Sequence, residues 1–243
     1  MTLKNLCPKF NRFQCLLTAF VWCVQIYAHT NHEKVDSVNV MPFSKIMVIG
    51  NQKTSLTICQ ENHYAFTIAG CNREDVNIEY TNDSTLLIYP NSVKSPESIM
   101  IKVYAPEWNN IFASLIENIQ TNGTLKADKL QVDASLVKTM DLSVQVNSLD
   151  LKAKVEKCSI SGSCEQAMID FDGSPSLQSI LQAKDLQSKV LHIKSGIHSK
   201  VFAQTSKSLW LQDGFLSEIT IYGSPSDIRN DTKSCQIHIL PKE

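Results

Sequence analysis

From residue 130 onward the chain repeatedly sets a pair of apolar residues around one outward residue. The pairs are Leu130/Val132, Met140/Leu142, Leu149/Leu151, Cys158/Ile160, Ile169/Phe171, Leu181/Ala183, Leu191/Ile193, Val201/Ala203, Leu209/Leu211 and Ile219/Ile221. Such alternation marks strands with one buried face. Successive pairs begin about ten residues apart, too close for a helix and its turns, and a steady period on this scale predicts a solenoid. An antiparallel β-sandwich is the alternative for many short strands. It calls for repeated hairpin turns, whereas only "TSLTICQENHYAFTIAG" (residues 54–70) reads as a convincing hairpin.

A coil that corners every few residues needs positions that tolerate positive φ or close backbone approach, and glycine supplies both. The chain has 8 glycines. Gly162, Gly196 and Gly214 each follow Ser or Asp just after an apolar pair, and five residues later Ala167, Val201 and Ile219 begin or adjoin the next strand. Gly223 follows the last pair, and Ala134 takes the same place after Asp133. These are the expected corners. In the first half, "VNVMPFSKIMVIG", "SLTICQ", "YAFTIAG", "VNIEYTNDSTLLIYP" and "SIMIKVYAP" read as strands between Asn, Asp, Ser and Gly turns. Residues 109–119 fit either a short helical turn, with Ile111, Phe112, Leu115, Ile116 and Ile119 at helical spacing, or a strand and corner.

The run "LHIKSGIHSKVFAQTSKSLWLQDGFLSEITIYGSPSDI", with its Tyr222-Gly223-x-Pro225, resembles the end of the bacterial family known as the putative auto-transporter adhesin head GIN domain. "MPFSKIMVIGNQKTSLTICQ" resembles its opening strands and "IMIKVYAPEWNNI" its middle strand-Pro stretch, so the likeness spans residues 36–239. The resemblance implies an all-β, right-handed, single-stranded parallel β-helix over residues 36–240. It also implies export from a bacterium to the periplasm, the cell surface or the medium, and for residues 109–119 a strand and corner. It brings no catalytic residues. The chain departs from the family pattern with Ala134 at one corner and no glycine near Leu181, where Ser174-Pro175 suggests an irregular loop.

Charge and composition add a compartment. Lys4, Lys9 and Arg12 precede an uncharged apolar run, residues 13–28, followed by polar "HTNHEK". This is the pattern of a cleavable signal peptide, residues 1–28. The run is shorter than the ~20 apolar residues of a spanning helix. Without the leader, 20 basic residues face 24 acidic ones, a surface that would not steer nucleic acid. Cys59, Cys71, Cys158, Cys164 and Cys235 remain, an odd number with no CxxC, so at most two disulfides could form. Cys158 sits at an apolar position of the repeat and is expected to be buried. The sequons at Asn82, Asn122 and Asn230 are expected on turns.

The sequence shows no GxSxG, P-loop, HExxH or dinucleotide glycine pattern. Nor does it call for a cofactor. His63, His192, His198 and His238 are read as solvent-facing rather than as zinc ligands. With two strands per coil, the outward residues should stack as Gln131, Asp150, Asp170, His192, Trp210 on one sheet. On the other they should stack as Asp141, Ser159, Gln182, Phe202, Thr220, with neighbours ~4.8 Å apart. Asp150 and Asp170 would then be stacked carboxylates, a solvated stripe or a weak cation site. Phe202, Trp210, Phe215 and Tyr222 would gather on the last coils as an aromatic face that binds a glycan or a protein, or that caps the end.

The reading is a non-catalytic exported β-helix that adheres, binds or acts as a scaffold, with no spanning segment in the mature chain. A polysaccharide lyase or hydrolase is the alternative, and it would need the Asp150/Asp170 stripe joined by a basic residue in a groove.

Overall fold

The computed structural model describes residues 36–71, 75–81, 84–91, 98–172 and 178–241. The expected signal segment, the Asn82 sequon and Ser174-Pro175 lie outside the described residues. Lys34–Glu243 form one compact unit. Among the described residues no helix is long and apolar enough to cross a membrane.

The strands are β1 (Asp36–Asn39), β2 (Lys45–Ile49), β3 (Thr54–Gln60), β4 (Ala65–Ala69), β5 (Val76–Tyr80), β6 (Thr85–Pro90), β7 (Ile99–Ala105) and β8 (Asn110–Ser114), followed by β9 (Asn118–Asn122), β10 (Leu125–Phe171), β11 (Ser179–Ile197), β12 (Ser199–Phe215), β13 (Glu218–Tyr222), β14 (Asp227–Thr232) and β15 (Gln236–Leu240). β8 and β9 settle residues 109–119 as strand, corner, strand. From β8 onward every pairing is parallel, and each strand lies on its own continuation one coil later. Leu191 pairs with Leu209, and Val201 with Ile219, each 18 residues on. The chain is therefore a parallel β-helix of about six turns, each coil made of two of the ten-residue units.

All twenty residues of the ten apolar pairs are at most 2% exposed. They line the inner faces of two sheets. Sheet one carries β2, β8, residues 208–213 and β14; sheet two carries β3, β9, residues 200–204, β13 and β15. Side chains pointing away from the core on one sheet thus point oppositely to those on the other.

The corners use positive φ more widely than glycine alone. Gly162 (φ 109°), Gly214 (71°) and Gly223 (123°) have it as expected. After Gly196, however, the left-handed residue is His198 (φ 54°), two positions on. Leu115, Leu136, Leu216 and Ser234 hold φ between 53° and 57° at their own corners. A left-handed non-glycine residue costs ~1–2 kcal/mol, which the rungs above and below must outweigh.

The N-terminal end departs from the sequence reading. β3 and β4 do not form the expected hairpin, because β7 lies between them, parallel to β3 and antiparallel to β4. β1 adds antiparallel to β4, and β5 antiparallel to β6. Beneath these strands Trp108, fully buried, packs edge-on to Phe43 at 5.9 Å between centroids, and its Nε1–H donates to the Cys59 carbonyl at 3.0 Å. The third sequon also differs from expectation. Asn230 lies inside β14, where its Oδ1 accepts from the Thr232 amide and hydroxyl.

Cys59, Cys158, Cys164 and Cys235 are free thiols. Burial pushes the Cys164 thiol up to about 11 and that of Cys158, wholly enclosed, further still. Since the thiolate is the nucleophile, iodoacetamide at pH 8 should leave Cys158 and Cys164 unmodified in the native chain and alkylate both after unfolding. Peptide mapping before and after denaturation checks this, and native labelling of Cys158 would contradict its placement.

Candidate functional site: a charged groove along one sheet

Trp210 does occupy the outward column of sheet one, in register with His192 on one side and Arg229 on the other. Its two faces are both covered. The His192 imidazole stacks on it at 4.0 Å and 5°, and the Arg229 guanidinium carbon lies 4.5 Å from the ring centre. Asp231 Oδ2 ties the cluster together by accepting from Trp210 Nε1 at 3.0 Å and Arg229 Nε at 2.7 Å. His192 Nε2 and Gln212 Oε1 are 3.1 Å apart. A guanidinium over an indole is attractive in itself, so the stack holds successive coils together and leaves Trp210 no free face for a sugar ring.

The other three aromatics stand elsewhere. Phe202 lies on sheet two between Gln182 and Thr220, in the stack expected for it. Tyr222 ends β13 beside Gln204 and Leu240 on that same sheet. Phe215, 50% exposed, lies at a corner. The four do not form one patch.

The acidic column also changes. Asp172 N donates to Ala153 O at 3.0 Å, which sets these coils 18 residues apart and brings Asp170 beside Lys152, and Asp150 beside Met168. On its other side Asp170 pairs with Lys194, while Met168 pairs with His192. Asp150 and Asp170 are therefore not neighbours in one column, and Asp170 stands between lysines. Among the described residues no three His, Cys, Asp or Glu side chains converge as a metal site would require.

This corrected register builds a groove that the sequence reading missed. It has a volume of about 740 Å³ and follows sheet one from Phe112 and Ser114 past Asp133, Lys152, Lys154, Asp170 and Lys194 to Asp231 and Lys233. Lys194 Nζ lies 3.8 Å from Asp170 and 3.7 Å from Asp213, and Lys154 Nζ lies 3.7 Å from Asp172. Opposite charges thus alternate from rung to rung. Each exposed pair is worth under ~1 kcal/mol, so the ladder chiefly sets the groove's polarity. Ser195, Gly214 and Phe215 also line it. Ser195 is 2% exposed, and its Oγ makes no hydrogen bond among the described residues. A Cβ on Gly214 would come within 2.7 Å of that Oγ and of Cys235 Sγ, so only glycine fits this close approach. The lysines were legible as "LKAKV" and "IKS", spaced two apart in their strands, but only the register aligns them with the aspartates.

A coiled chain of this kind, with its final Tyr222-Gly223-x-Pro225, matches the family described as putative auto-transporter adhesin, head GIN domain, over residues 42–225. The chain belongs to that family.

Solved structures share the fold of this GIN domain. A putative adhesin from Bacteroides fragilis is 15% identical, with a TM-score of 0.73 over 87% of this chain and 98% of its own. A putative adhesin from Parabacteroides merdae is 18% identical, with a TM-score of 0.54 over 88% and 98%. A putative lipid binding protein from Parabacteroides distasonis is 13% identical, with a TM-score of 0.60 over 88% and 98%. At these identities the likeness is one of fold. No curated protein matches the sequence.

Proposed function

We propose that this GIN domain is an exported, non-catalytic adhesion module of the bacterial envelope or surface that holds a polar glycan in the groove of sheet one. The family and the adhesins that share the fold support adhesion. The observation that carries the choice of site is the groove itself, along which Lys194 stands between Asp170 and Asp213. There Lys194 and Asp170 offer donors and acceptors to a sugar, and exposed Phe215 offers an apolar face. The Trp210 stack supports the sheet behind this site and does not itself contact the ligand.

A glycan array probed with Lys34–Glu243 tests the proposal. Lys194→Ala and Asp170→Asn should weaken binding about tenfold or more, the loss of one or two polar contacts, with thermal stability retained. Binding that is unchanged in both variants, or no binding across the array, would move the site or the ligand class. A second reading rests on Asp170, which does have basic neighbours in a groove, as a polysaccharide lyase would need. Shortened glycan products in the same incubations would favour that reading over adhesion.

A further inference from the structure

The coil closes differently at its two ends. At the N-terminal end antiparallel β1 and β5 finish the sheets, and the core beneath is covered, with Phe43, Phe66 and Val76 all buried. At the C-terminal end nothing among the described residues covers the last rung. Ile228 and Ile239 are 48% and 42% exposed, whereas Leu209 and Ile221, which hold the same inward places one coil earlier, are 2% and 0%. Leu240 is likewise exposed. Among the described residues β14 pairs only with β12 and β15 only with β13, so each presents one open edge. Open edges above an apolar face are a site for further strand pairing.

We propose that this end docks a second copy of the chain, tail to tail, about a two-fold axis perpendicular to the two sheets. The partner must supply two strand edges, one for each sheet, with apolar side chains between them. β14 and β15 lie on opposite sheets of the coil, and an axis perpendicular to both turns each onto its own copy in antiparallel pairing. Both edges and the apolar face are then satisfied in one step. β1 and β5 also pair on one side only, but among the described residues the core beneath them is covered, so head-to-tail stacking lacks an apolar counterpart.

Charge specifies the register. With Asn230 on the axis, Arg229 of each copy stands opposite Asp231 of the other, and Ile228 stands opposite Thr232. Antiparallel neighbours of opposite charge are favourable, and this pair occurs twice by symmetry. Asn230 takes the inward place that Leu211 holds one coil earlier, so a polar residue marks the centre of the contact rather than continuing the apolar column. The contact closes on itself and leaves β14 and β15 without a free edge. It places two sheet-one grooves on one particle, which raises avidity for a repeating ligand, although the association does not depend on what the groove holds.

Sedimentation velocity of Lys34–Glu243 should show a dimer at about 100 µM that dissociates on dilution. The double variant Ile228→Lys/Ile239→Lys, which puts like charges on the shared face, should raise the dissociation constant by about 100-fold or more while leaving the far-ultraviolet spectrum unchanged. Asn230→Cys in a Cys235→Ser background should form a disulfide between copies on mild oxidation, since paired antiparallel strands bring Cα atoms to ~4.5–5.5 Å. Ile49→Cys in the same background should not. A monomer at about 100 µM, a dimer indifferent to the lysines, cross-linking through Ile49→Cys rather than Asn230→Cys, or an open series of oligomers would each overturn the proposal.

Discussion

Gly162→Ala should lower the melting temperature by about 10 °C, the shift that ~3 kcal/mol produces in a domain of this size. Gly162 holds φ 109°, and a Cβ there would lie 1.9 Å from the Val144 carbonyl oxygen one coil below. That obstacle is backbone, already committed to the rung, so no side-chain rotation relieves it. Either the corner opens and its ladder bonds are lost, or the coil below shifts and passes the strain down the stack. Gly223→Ala should behave alike, with φ 123° and the Thr205 carbonyl oxygen at 2.1 Å. Gly123→Ala is the control. Its φ is 83° but nothing lies within 4 Å, so only the conformational cost of ~1–2 kcal/mol remains. Thermal melts of the three variants should rank Gly123→Ala well above the other two; equal losses would mean that φ alone, and not the approach of neighbouring coils, demands glycine.

Trp108→Ala should cost ~3–5 kcal/mol, in the range found for removing a large buried aromatic. Trp108 fills the N-terminal core against Phe43, which also packs against Tyr64 at 5.4 Å. The variant leaves a cavity under the antiparallel strands and orphans the Cys59 carbonyl that the indole N–H satisfies. Trp108→Phe should recover much of the packing but not the hydrogen bond, and so should lie between the two. Hydrogen exchange locates the effect: β1, β4 and β7 should lose protection first, while the coils after β10 keep theirs, because rungs in a solenoid depend mainly on their neighbours. Uniform loss along the chain would instead show that the molecule unfolds as one unit.

Much of the fold was legible because the coil is built from local alternation. Each apolar pair, from Leu130/Val132 to Ile219/Ile221, is buried as read. The column of Ser159, Gln182, Phe202 and Thr220 also runs through the observed register. Two readings failed for identifiable reasons. The apparent hairpin of residues 54–70 had the alternation of paired strands, but β7, some thirty residues later, pairs with both β3 and β4 and separates them; sequence adjacency carries no information about such an insertion. The alternation puts Asp170 in the column of Asp150 and His192 when Ile169/Phe171 is aligned with Leu149/Leu151 and Leu191/Ile193. The register instead uses Ala167 and Ile169 around Met168, with Ala167 too small to stand out.

The candidate site was less legible than the core. Trp210 and Asp170 were both singled out, but their partners were not. Arg229 and Lys194 carry no local pattern that would associate them with a tryptophan or an aspartate one coil away. Asp170, Lys194 and Asp213 become a site only when neighbouring coils bring them together.

By itself, then, the sequence determined which residues face inward, the ten-residue unit and three of the four glycine corners, because each follows from one strand lying against one core. The tertiary structure alone decided which outward residues meet across coils. A two-residue slip between coils leaves every inward residue inward, so the alternation cannot register it, yet the slip replaces one neighbour in the column with another and turns an acidic stripe into a ladder of alternating charge.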